Sequence, residues 1–282
     1  MFLLLFLASS LNAEVCVDDS NGKSLCLEQS AKRIVSLAPH TTELLFAVDA
    51  GKQVIGVMSG SDYPPEASDI TAVGNYQAIS LETIISLEPD LVVSWPSGNP
   101  VGITRQLARF DIPVYQSDPA GVSDIAHDLL ALGILTGNET ESKKAASDLR
   151  VGIQALHDQY SHKQSVASLL MISDVPMMGL SNAHAVAEAF HICGAVNVLG
   201  ETQAKAPMLG KESMLMLKPD LILVTHEIQD KNTWLIQRGF YKPPRPEVAS
   251  LNPDLILRQT PRMLAGITEM CEEVDQLRSS QR

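Results

Sequence analysis

The feature that most constrains the fold of this chain is a ten-residue segment that occurs twice. Residues 82–91 read Glu-x-x-x-x-Leu-x-Pro-Asp-Leu, and residues 212–221 repeat the same residues at the same spacing. Each copy continues into a short apolar stretch, which is typical of a strand buried in a parallel sheet. A helix that ends before Pro-Asp and leads into such a strand is half of a βαβ unit. The repeat therefore predicts two similar α/β lobes rather than one large sheet.

The alternation of apolar strands and amphipathic helices extends this prediction to the whole chain. We predict an α/β fold of two Rossmann-like lobes with parallel central sheets, joined by one long backbone helix. The N-terminal lobe is expected over residues 14–122, the linking helices over 123–164 and the C-terminal lobe over 165–282. Two lobes imply a cleft between them, and such clefts are where small ligands bind.

The N-terminus indicates export. Residues 1–13 are almost wholly apolar and uncharged, and they end in Leu-Asn-Ala before Glu14, a pattern suited to signal-peptidase cleavage. Because the apolar run is short and no Lys or Arg precedes it, we expect the true translation start to lie upstream. No other stretch approaches the roughly 18 apolar residues that a membrane span requires. We therefore expect a soluble, exported protein.

The charge balance excludes nucleic acid as a partner. The chain has 33 acidic and 21 basic residues and a formal net charge of −12. A protein that binds nucleic acid needs a basic surface to neutralise phosphates. We therefore look for the partner among small molecules and proteins.

The chain carries none of the common short catalytic signatures, such as Gly-x-Ser-x-Gly, the phosphate-binding loop or His-Glu-x-x-His. His40 and His226 each follow a predicted strand, and Glu227 adjoins the second. The helix after the first of these strands is predicted to begin near Glu43, with Thr41 or Thr42 as its cap. The two histidines and Glu227 allow an exported metalloenzyme as an alternative, since two histidines and a carboxylate bind transition metals. No close pair of ligands supports it, so we expect solvated loop histidines. The prediction is a protein that is not an enzyme and has no catalytic residue, metal site or cofactor.

The four cysteines are expected to form two disulfides, as an even number does in an oxidising compartment. Cys16 and Cys26 flank a turn-rich segment between two short alternating runs. A hairpin with Gly22 in the left-handed region places these two cysteines opposite each other. Cys193 and Cys271 are then left to pair.

The aromatic residues, 5% of the chain, point to a ligand site. Tyr63 lies in a proline-rich turn, Tyr76 in a polar loop and Trp95 at the end of a predicted strand. Open α/β sheets bind ligands at the carboxyl ends of their strands, so we expect these three side chains to form one wall of a pocket.

Glu82 and Glu212 occupy equivalent positions near the start of the two repeated helices. A carboxylate there stabilises the helix through its dipole. The alternative is a pair of acidic contacts, one on each lobe, for a partner with approximate two-fold symmetry. Both interpretations remain open at this point.

A set of segments occurs along the chain in a definite order and spacing. They are 33–39, 61–65, 82–91, Trp95, 193–197, Glu212, Pro253-Asp254, 260–263 and Cys271. Together they resemble the periplasmic cobalamin-binding proteins of ABC importers, and the similarity covers about residues 31–275.

The resemblance implies a monomeric receptor that carries cobalamin or another corrinoid to an ABC permease dimer in the inner membrane. It implies that Glu82 and Glu212 meet arginines of the permease and that Cys193 pairs with Cys271. The ligand residues that it implies are Tyr63, Tyr76, Trp95, Met178 and Asp254. Three positions depart from the pattern, since Tyr76, Met178 and Ala206 or Pro207 stand where the cobalamin receptor has other aromatics. Receptors for ferric siderophores or haem are therefore the alternatives.

Overall fold

The computed structural model describes residues 14–280, so the predicted signal peptide lies outside the described residues. The chain divides into two compact units, which we call unit 1 (residues 14–117 and 130–142) and unit 2 (residues 118–129 and 143–280). The domain boundaries given above stay a prediction. No helix within residues 14–280 is both long enough and apolar enough to cross a membrane.

The strands are short, apart from the first strand of unit 2. In chain order they are β1 (Val15–Asp18), β2 (Ser24–Leu27), β3 (Ile34–Ser36), β4 (Val54–Val57), β5 (Leu91–Ser94), β6 (Val114–Gln116), β7 (Val166–Asp174), β8 (Met177–Gly179), β9 (Ala195–Asn197), β10 (Leu221–Val224) and β11 (Glu247–Ser250).

The helices alternate with these strands, as the sequence predicts. They are α1 (Pro39–Ala47), α2 (Leu81–Ser86), α3 (Ile103–Ala108), α4 (Val122–Thr136), α5 (Glu139–Tyr160), α6 (Ala187–Ile192), α7 (Lys211–Leu217), α8 (Lys231–Gln237), α9 (Pro253–Ile256) and α10 (Met263–Ser280), with 3₁₀ turns at Gly51–Gln53 and Pro65–Asp69. The helix α5, 22 residues long, confirms the predicted long helix.

The sheet of unit 1 is a parallel four-stranded sheet in the order β4-β3-β5-β6. Strands β3 and β5 are completely buried, because helices cover both faces of a parallel sheet. The chain passes from β3 to β4 on one side and then to β5 on the other. Such a reversal of strand order is a topological switch point, and ligands of open α/β sheets bind outside the carboxyl ends of the strands there.

The sheet of unit 2 has the same kind of switch point, between β7 and β10. Strands β11, β10 and β7 are parallel neighbours, and the far edge of β7 pairs with two short strands. Its first residues pair with β9 in parallel, and its last residues pair with β8 antiparallel. The parallel central sheets confirm the Rossmann-like prediction, while the antiparallel strand β8 was not predicted.

The repeated segment makes the same connection in both units. The two helices α2 and α7 are each followed by a residue in the left-handed region, Glu88 (φ 48°) or Lys218 (φ 47°). The aspartates that follow, Asp90 and Asp220, accept hydrogen bonds from backbone N–H groups at the start of the neighbouring strand, Arg33 (2.9 Å) and Ala167 (3.2 Å). The Pro-Asp motif therefore ties each incoming strand to the central strand of its sheet.

The start of α1 differs from the prediction. The sequence suggested a helix beginning near Glu43 and capped by Thr41 or Thr42, but the helix begins at Pro39. Proline fits the first turn of a helix, where its missing N–H is not needed. The Thr41 hydroxyl still accepts a hydrogen bond from the N–H of Ala38, at 3.1 Å, from within that turn.

Candidate functional site

The switch point of unit 1 brings His40 against Trp95. His40 lies in the first turn of α1, after β3, and Trp95 directly follows β5. Their rings meet edge to face, with centroids 5.2 Å apart and planes at 82°. His40 is buried, so the expectation of a solvated loop histidine is wrong there. The reason is the earlier start of α1, which places residue 40 on a packed helical turn rather than in a loop.

A loop after β5 holds Trp95 in place. Asn99 accepts a hydrogen bond from the backbone N–H of Trp95 (2.7 Å) and donates one to the carbonyl oxygen of Leu37 (2.7 Å). Asn99 thus bridges the carboxyl ends of β5 and β3. Asn99 was not among the predicted site residues, although an asparagine in a proline- and glycine-rich loop after a strand is a signal for this kind of turn.

Trp95, Asn99, Ile103 and Gln116 contribute to the wall of a pocket of about 210 Å³ in unit 1. Trp95 is half-buried, as suits a side chain that is fixed by its surroundings yet accessible to a ligand. The pocket lies at the carboxyl ends of β5 and β6, where the fold class binds ligands.

Tyr63 and Tyr76 do not line this pocket. Tyr63 is 44% exposed and Tyr76 is 80% exposed. The turn that carries Tyr63 is anchored to α1, because the Thr42 hydroxyl donates a hydrogen bond to the hydroxyl of buried Ser61 at 3.1 Å. A single pocket wall formed by Tyr63, Tyr76 and Trp95 together therefore stays a prediction.

The switch point of unit 2 carries a polar cluster around Asp174, the last residue of β7. One carboxylate oxygen lies 2.6 Å from the Arg238 guanidinium. The other accepts a hydrogen bond from the Trp234 indole N–H (3.0 Å) and lies 2.9 Å from Nε2 of His226. The guanidinium of Arg238 also stacks 3.8 Å from the centroid of the Trp234 ring. Asp174 therefore meets three side chains that lie 52 to 64 residues later in the chain, at this edge of the sheet.

The environment of Asp174 favours its charged form. Partial burial would by itself raise the pKa of this carboxyl group. The hydrogen bonds from Trp234 and Arg238, together with the charges of Arg238 and His226, outweigh that effect and leave the pKa below its ordinary value. Asp174 is therefore held in its charged form, and that charge is paired with Arg238. Asp174, His226 and Trp234 line a pocket of about 350 Å³ together with the loop of residues 227–230.

Met178 and Asp254 lie elsewhere in unit 2. Met178 is half-buried in the edge strand β8, where it pairs with Met208. Asp254 lies in the first turn of α9 and forms an ion pair with Arg258 at 2.9 Å. Neither lines the pocket beside Asp174, so their contact with a ligand stays a prediction.

Among the residues that the structure describes, His40 and His226 do not belong to a common metal-binding group. Within residues 14–280, the cluster with metal-binding spacing is Glu14, Cys16 and Cys26, and it includes neither His40 nor His226. Both of its sulfur atoms belong to a disulfide and are not thiolates.

The cysteines pair as predicted. Cys16 lies opposite Cys26 across the β1–β2 hairpin and is bonded to it. Cys193 at the end of α6 is bonded to Cys271 in α10. This pairing agrees with the interpretation of the chain as an exported protein.

Glu82 and Glu212 are both exposed in the first turn of their helices, α2 and α7. The helix α2 has its own cap, since the hydroxyl of Ser80 accepts a hydrogen bond from the N–H of Thr83 at 3.2 Å. The two carboxylates are therefore available to a partner as well as to the helix dipoles.

Comparison with known proteins identifies the class. The family described as "Periplasmic binding protein" matches residues 34–261, most of the chain. The chain belongs to this family. It is a family of substrate-binding proteins rather than of enzymes.

Relatives of this periplasmic binding protein carry a specific name. A vitamin B12-binding protein of Vibrio parahaemolyticus serotype O3:K6 is 34% identical over 252 residues, which are 89% of this chain and 92% of the relative. A protein of the same name from Photorhabdus laumondii is 32% identical over 243 residues, 86% of this chain and 88% of the relative.

Solved structures share the fold. The periplasmic vitamin B12 binding protein BtuF of Vibrio cholerae matches with a TM-score of 0.79 and 31% identity, over 88% of this chain and 98% of that chain. The periplasmic heme binding protein HutB of Vibrio cholerae matches with a TM-score of 0.73 over 86% of this chain and 98% of that chain. At 18% identity, HutB shows a common fold alone.

Proposed function

We propose that this periplasmic binding protein captures cobalamin or a related corrinoid and delivers it to the permease of an ABC importer. The observation that carries the proposal is the similarity, at 34% identity along nearly the whole length, to a protein named for vitamin B12 binding. The site geometry supports it. Each unit has a pocket at the switch point of its sheet, with an aromatic or polar wall that its own fold holds in place.

Trp95 is the aromatic contact that we expect to matter most. A corrin ring is large and largely apolar on its faces, and an indole buries much apolar area at a small cost in conformational entropy. Asn99 and His40 already hold Trp95, so little entropy is lost when the ligand binds.

The test is retention of colour followed by a titration. Purified protein mixed with cyanocobalamin and then desalted is expected to stay red. Calorimetry on Trp95→Ala should show a loss of roughly 1–3 kcal/mol, which is about 5- to 150-fold in Kd. Phe110→Ala is the matched control. Phe110 is an exposed aromatic residue in the turn between α3 and the amino end of β6, so this variant should bind normally.

Haem and a panel of ferric siderophores are the comparison ligands. Retention of one of them, with cyanocobalamin lost on desalting, would replace the corrinoid assignment. Normal affinity of Trp95→Ala in a folded protein would remove the indole from the site.

We also propose that Glu82 and Glu212 bind the permease. They are exposed carboxylates at equivalent places in the two units, outside both pockets. Charged pairs at an exposed interface set orientation and association rate more than affinity. The double reversal Glu82→Arg with Glu212→Arg should therefore nearly abolish uptake into vesicles that contain the permease, while cyanocobalamin binding stays normal.

Glu141→Arg is the control for the helix dipole. Glu141 is likewise an exposed carboxylate in the first turn of a helix, α5. Its reversal should cost a few tenths to 1 kcal/mol of stability and leave uptake alone. Normal uptake by the double reversal variant would contradict the docking role.

A further inference from the structure

The N-terminal hairpin has an ordered tip. Strands β1 and β2 pair in the register that joins Cys16 to Cys26. Asp19 is buried at the turn, and one of its carboxylate oxygens accepts hydrogen bonds from the backbone N–H groups of Asn21 (2.9 Å) and Lys23 (3.0 Å). The disulfide at the base and Asp19 at the turn therefore leave the tip little freedom.

The tip is bonded to Gln116, the last residue of the edge strand β6. The backbone N–H of Ser20 donates to the carbonyl oxygen of Gln116 at 3.0 Å, and the Ser20 hydroxyl donates to the same oxygen at 2.5 Å. The side-chain amide of Asn21 donates to Oε1 of Gln116 at 2.9 Å. Three hydrogen bonds thus hold the hairpin at the carboxyl edge of the unit 1 sheet.

These contacts set the direction of the Gln116 amide. Gln116 is half-buried and lines the pocket that contains Trp95. Oε1 of Gln116 already accepts the hydrogen bond from Asn21. Nε2 is therefore the polar atom of the Gln116 amide that is left to bind another group. Among the residues that the structure describes, Nε2 of Gln116 has no hydrogen-bond acceptor. A solvent-accessible donor that no acceptor in the described part of the protein occupies, beside an aromatic wall, is suited to an acceptor oxygen of a ligand.

We propose that Gln116 is a ligand-binding residue whose Nε2 donates a hydrogen bond to an oxygen of the bound corrinoid, and that the disulfide hairpin is the element that orients it. The proposal rests on the proposed function. The peripheral carboxamides of cobalamin supply acceptor oxygens around the ring. Asn21 is a positioning residue in this arrangement, since it acts through Gln116.

Calorimetric titration with cyanocobalamin tests the proposal. Gln116→Glu keeps an oxygen that can accept from Asn21 but presents an acceptor where the glutamine presents a donor. We expect it to weaken binding about tenfold, as for loss of one good hydrogen bond. Asn21→Ala should weaken binding about two- to fivefold, because the amide is no longer oriented.

The double variant separates positioning from a general structural effect. Because Asn21 acts through Gln116, the two changes together should weaken binding no more than Gln116→Glu alone. Ser24→Ala is the matched hairpin control. It removes the hydrogen bond from Ser24 to Asp18 but touches neither Asn21 nor Gln116, and it should bind normally.

Two results would overturn the inference. One is unchanged affinity in both Gln116→Glu and Asn21→Ala while the wild-type protein binds cyanocobalamin. The other is strict additivity of the two changes in the double variant. Absence of binding by the wild-type protein would instead refute the proposed function, and the inference with it.

Discussion

Removal of the disulfide between Cys193 and Cys271 should destabilise unit 2 by about 4–5 kcal/mol. The bond joins residues 78 apart in sequence. In the chain-entropy account, a crosslink of that span stabilises the folded state by about 4.5 kcal/mol at 25 °C, by restricting the unfolded chain. This contribution is a large fraction of the total free energy of unfolding, which is typically about 5–15 kcal/mol for a protein.

The native geometry should survive the substitution Cys193→Ala with Cys271→Ala. The guanidinium of Arg278, in the same helix as residue 271, donates hydrogen bonds to the carbonyl oxygens of Cys193 (2.7 Å) and Gly194 (2.8 Å). These bonds keep the end of α6 against α10 without the disulfide. The loss should therefore come from the unfolded state, and the melting temperature of unit 2 should fall by about 10–15 °C.

Fluorescence during urea unfolding measures this effect in one unit at a time. The chain has two tryptophans, Trp95 in unit 1 and Trp234 in unit 2. In a Trp95→Phe background the signal comes from Trp234, which is buried against Arg238 and should change when unit 2 unfolds. Non-reducing conditions keep the hairpin disulfide intact in both proteins.

The control is the pair Cys16→Ala with Cys26→Ala. That disulfide joins residues 10 apart, so the same account assigns it about 2.7 kcal/mol. It constrains a hairpin of unit 1 and should leave the Trp234 transition unchanged. The reasoning would be refuted if removal of Cys193–Cys271 shifted the Trp234 transition by less than about 1 kcal/mol, or if the hairpin variant shifted it equally.

Two further predictions concern titratable groups of unit 2. Asp174→Ala removes the ion-pair partner of the buried Arg238 and should destabilise unit 2 by about 2–3 kcal/mol, measured by Trp234 fluorescence. The double variant Asp174→Ala with Arg238→Met should recover part of the lost stability. Burial is the main cause that lowers the pKa of His184 to about 4, and the positive charge of Lys205 lowers it further. The charge of Asp118 raises this pKa, but by less. Below about pH 6.5, His184 is therefore protonated in the unfolded chain but stays neutral in the folded chain. The free energy of unfolding should fall by up to about 3 kcal/mol as the pH is lowered from 6.5 to 4. Urea titrations across that range should show the fall, and His184→Asn should remove this component; an unchanged pH profile in the variant would contradict the assignment.

The repeated segment shows why much of the fold could be predicted. A Pro-Asp pair after a helix restricts the backbone locally, and the apolar run that follows has the composition of a buried strand. The structure adds the reason for the aspartate, since Asp90 and Asp220 each accept an N–H at the start of the adjacent strand. The hairpin disulfide was predictable for the same reason, because turn chemistry sets the register of a short hairpin.

Two short strands of unit 2, β8 and β9, were not predicted. With three residues each, they show no periodicity of their own. They exist because β7 is long enough to pair with both along one edge. Their formation depends on a partner strand and not on their own sequence.

The candidate sites divide in the same way. Trp95 could be located from the sequence, because it follows a strand whose carboxyl end faces ligands in this fold class. Its contact with His40, and the convergence of Trp234 and Arg238 on Asp174, join residues about 55–65 positions apart. No local pattern encodes such contacts.

The sequence by itself determined the two α/β units, the long helix and the hairpin disulfide, because each depends on short-range spacing and on chemical type. The pairing of Cys193 with Cys271 followed only by elimination, since these residues are 78 apart. The tertiary structure alone decided which polar side chains meet at the two switch points. Gln116 shows the distinction. In sequence it is one more glutamine at the end of a strand, but Asn21, 95 residues away, holds its amide in one orientation beside Trp95. That orientation depends on strand order and hairpin placement, which the packing of the whole unit decides.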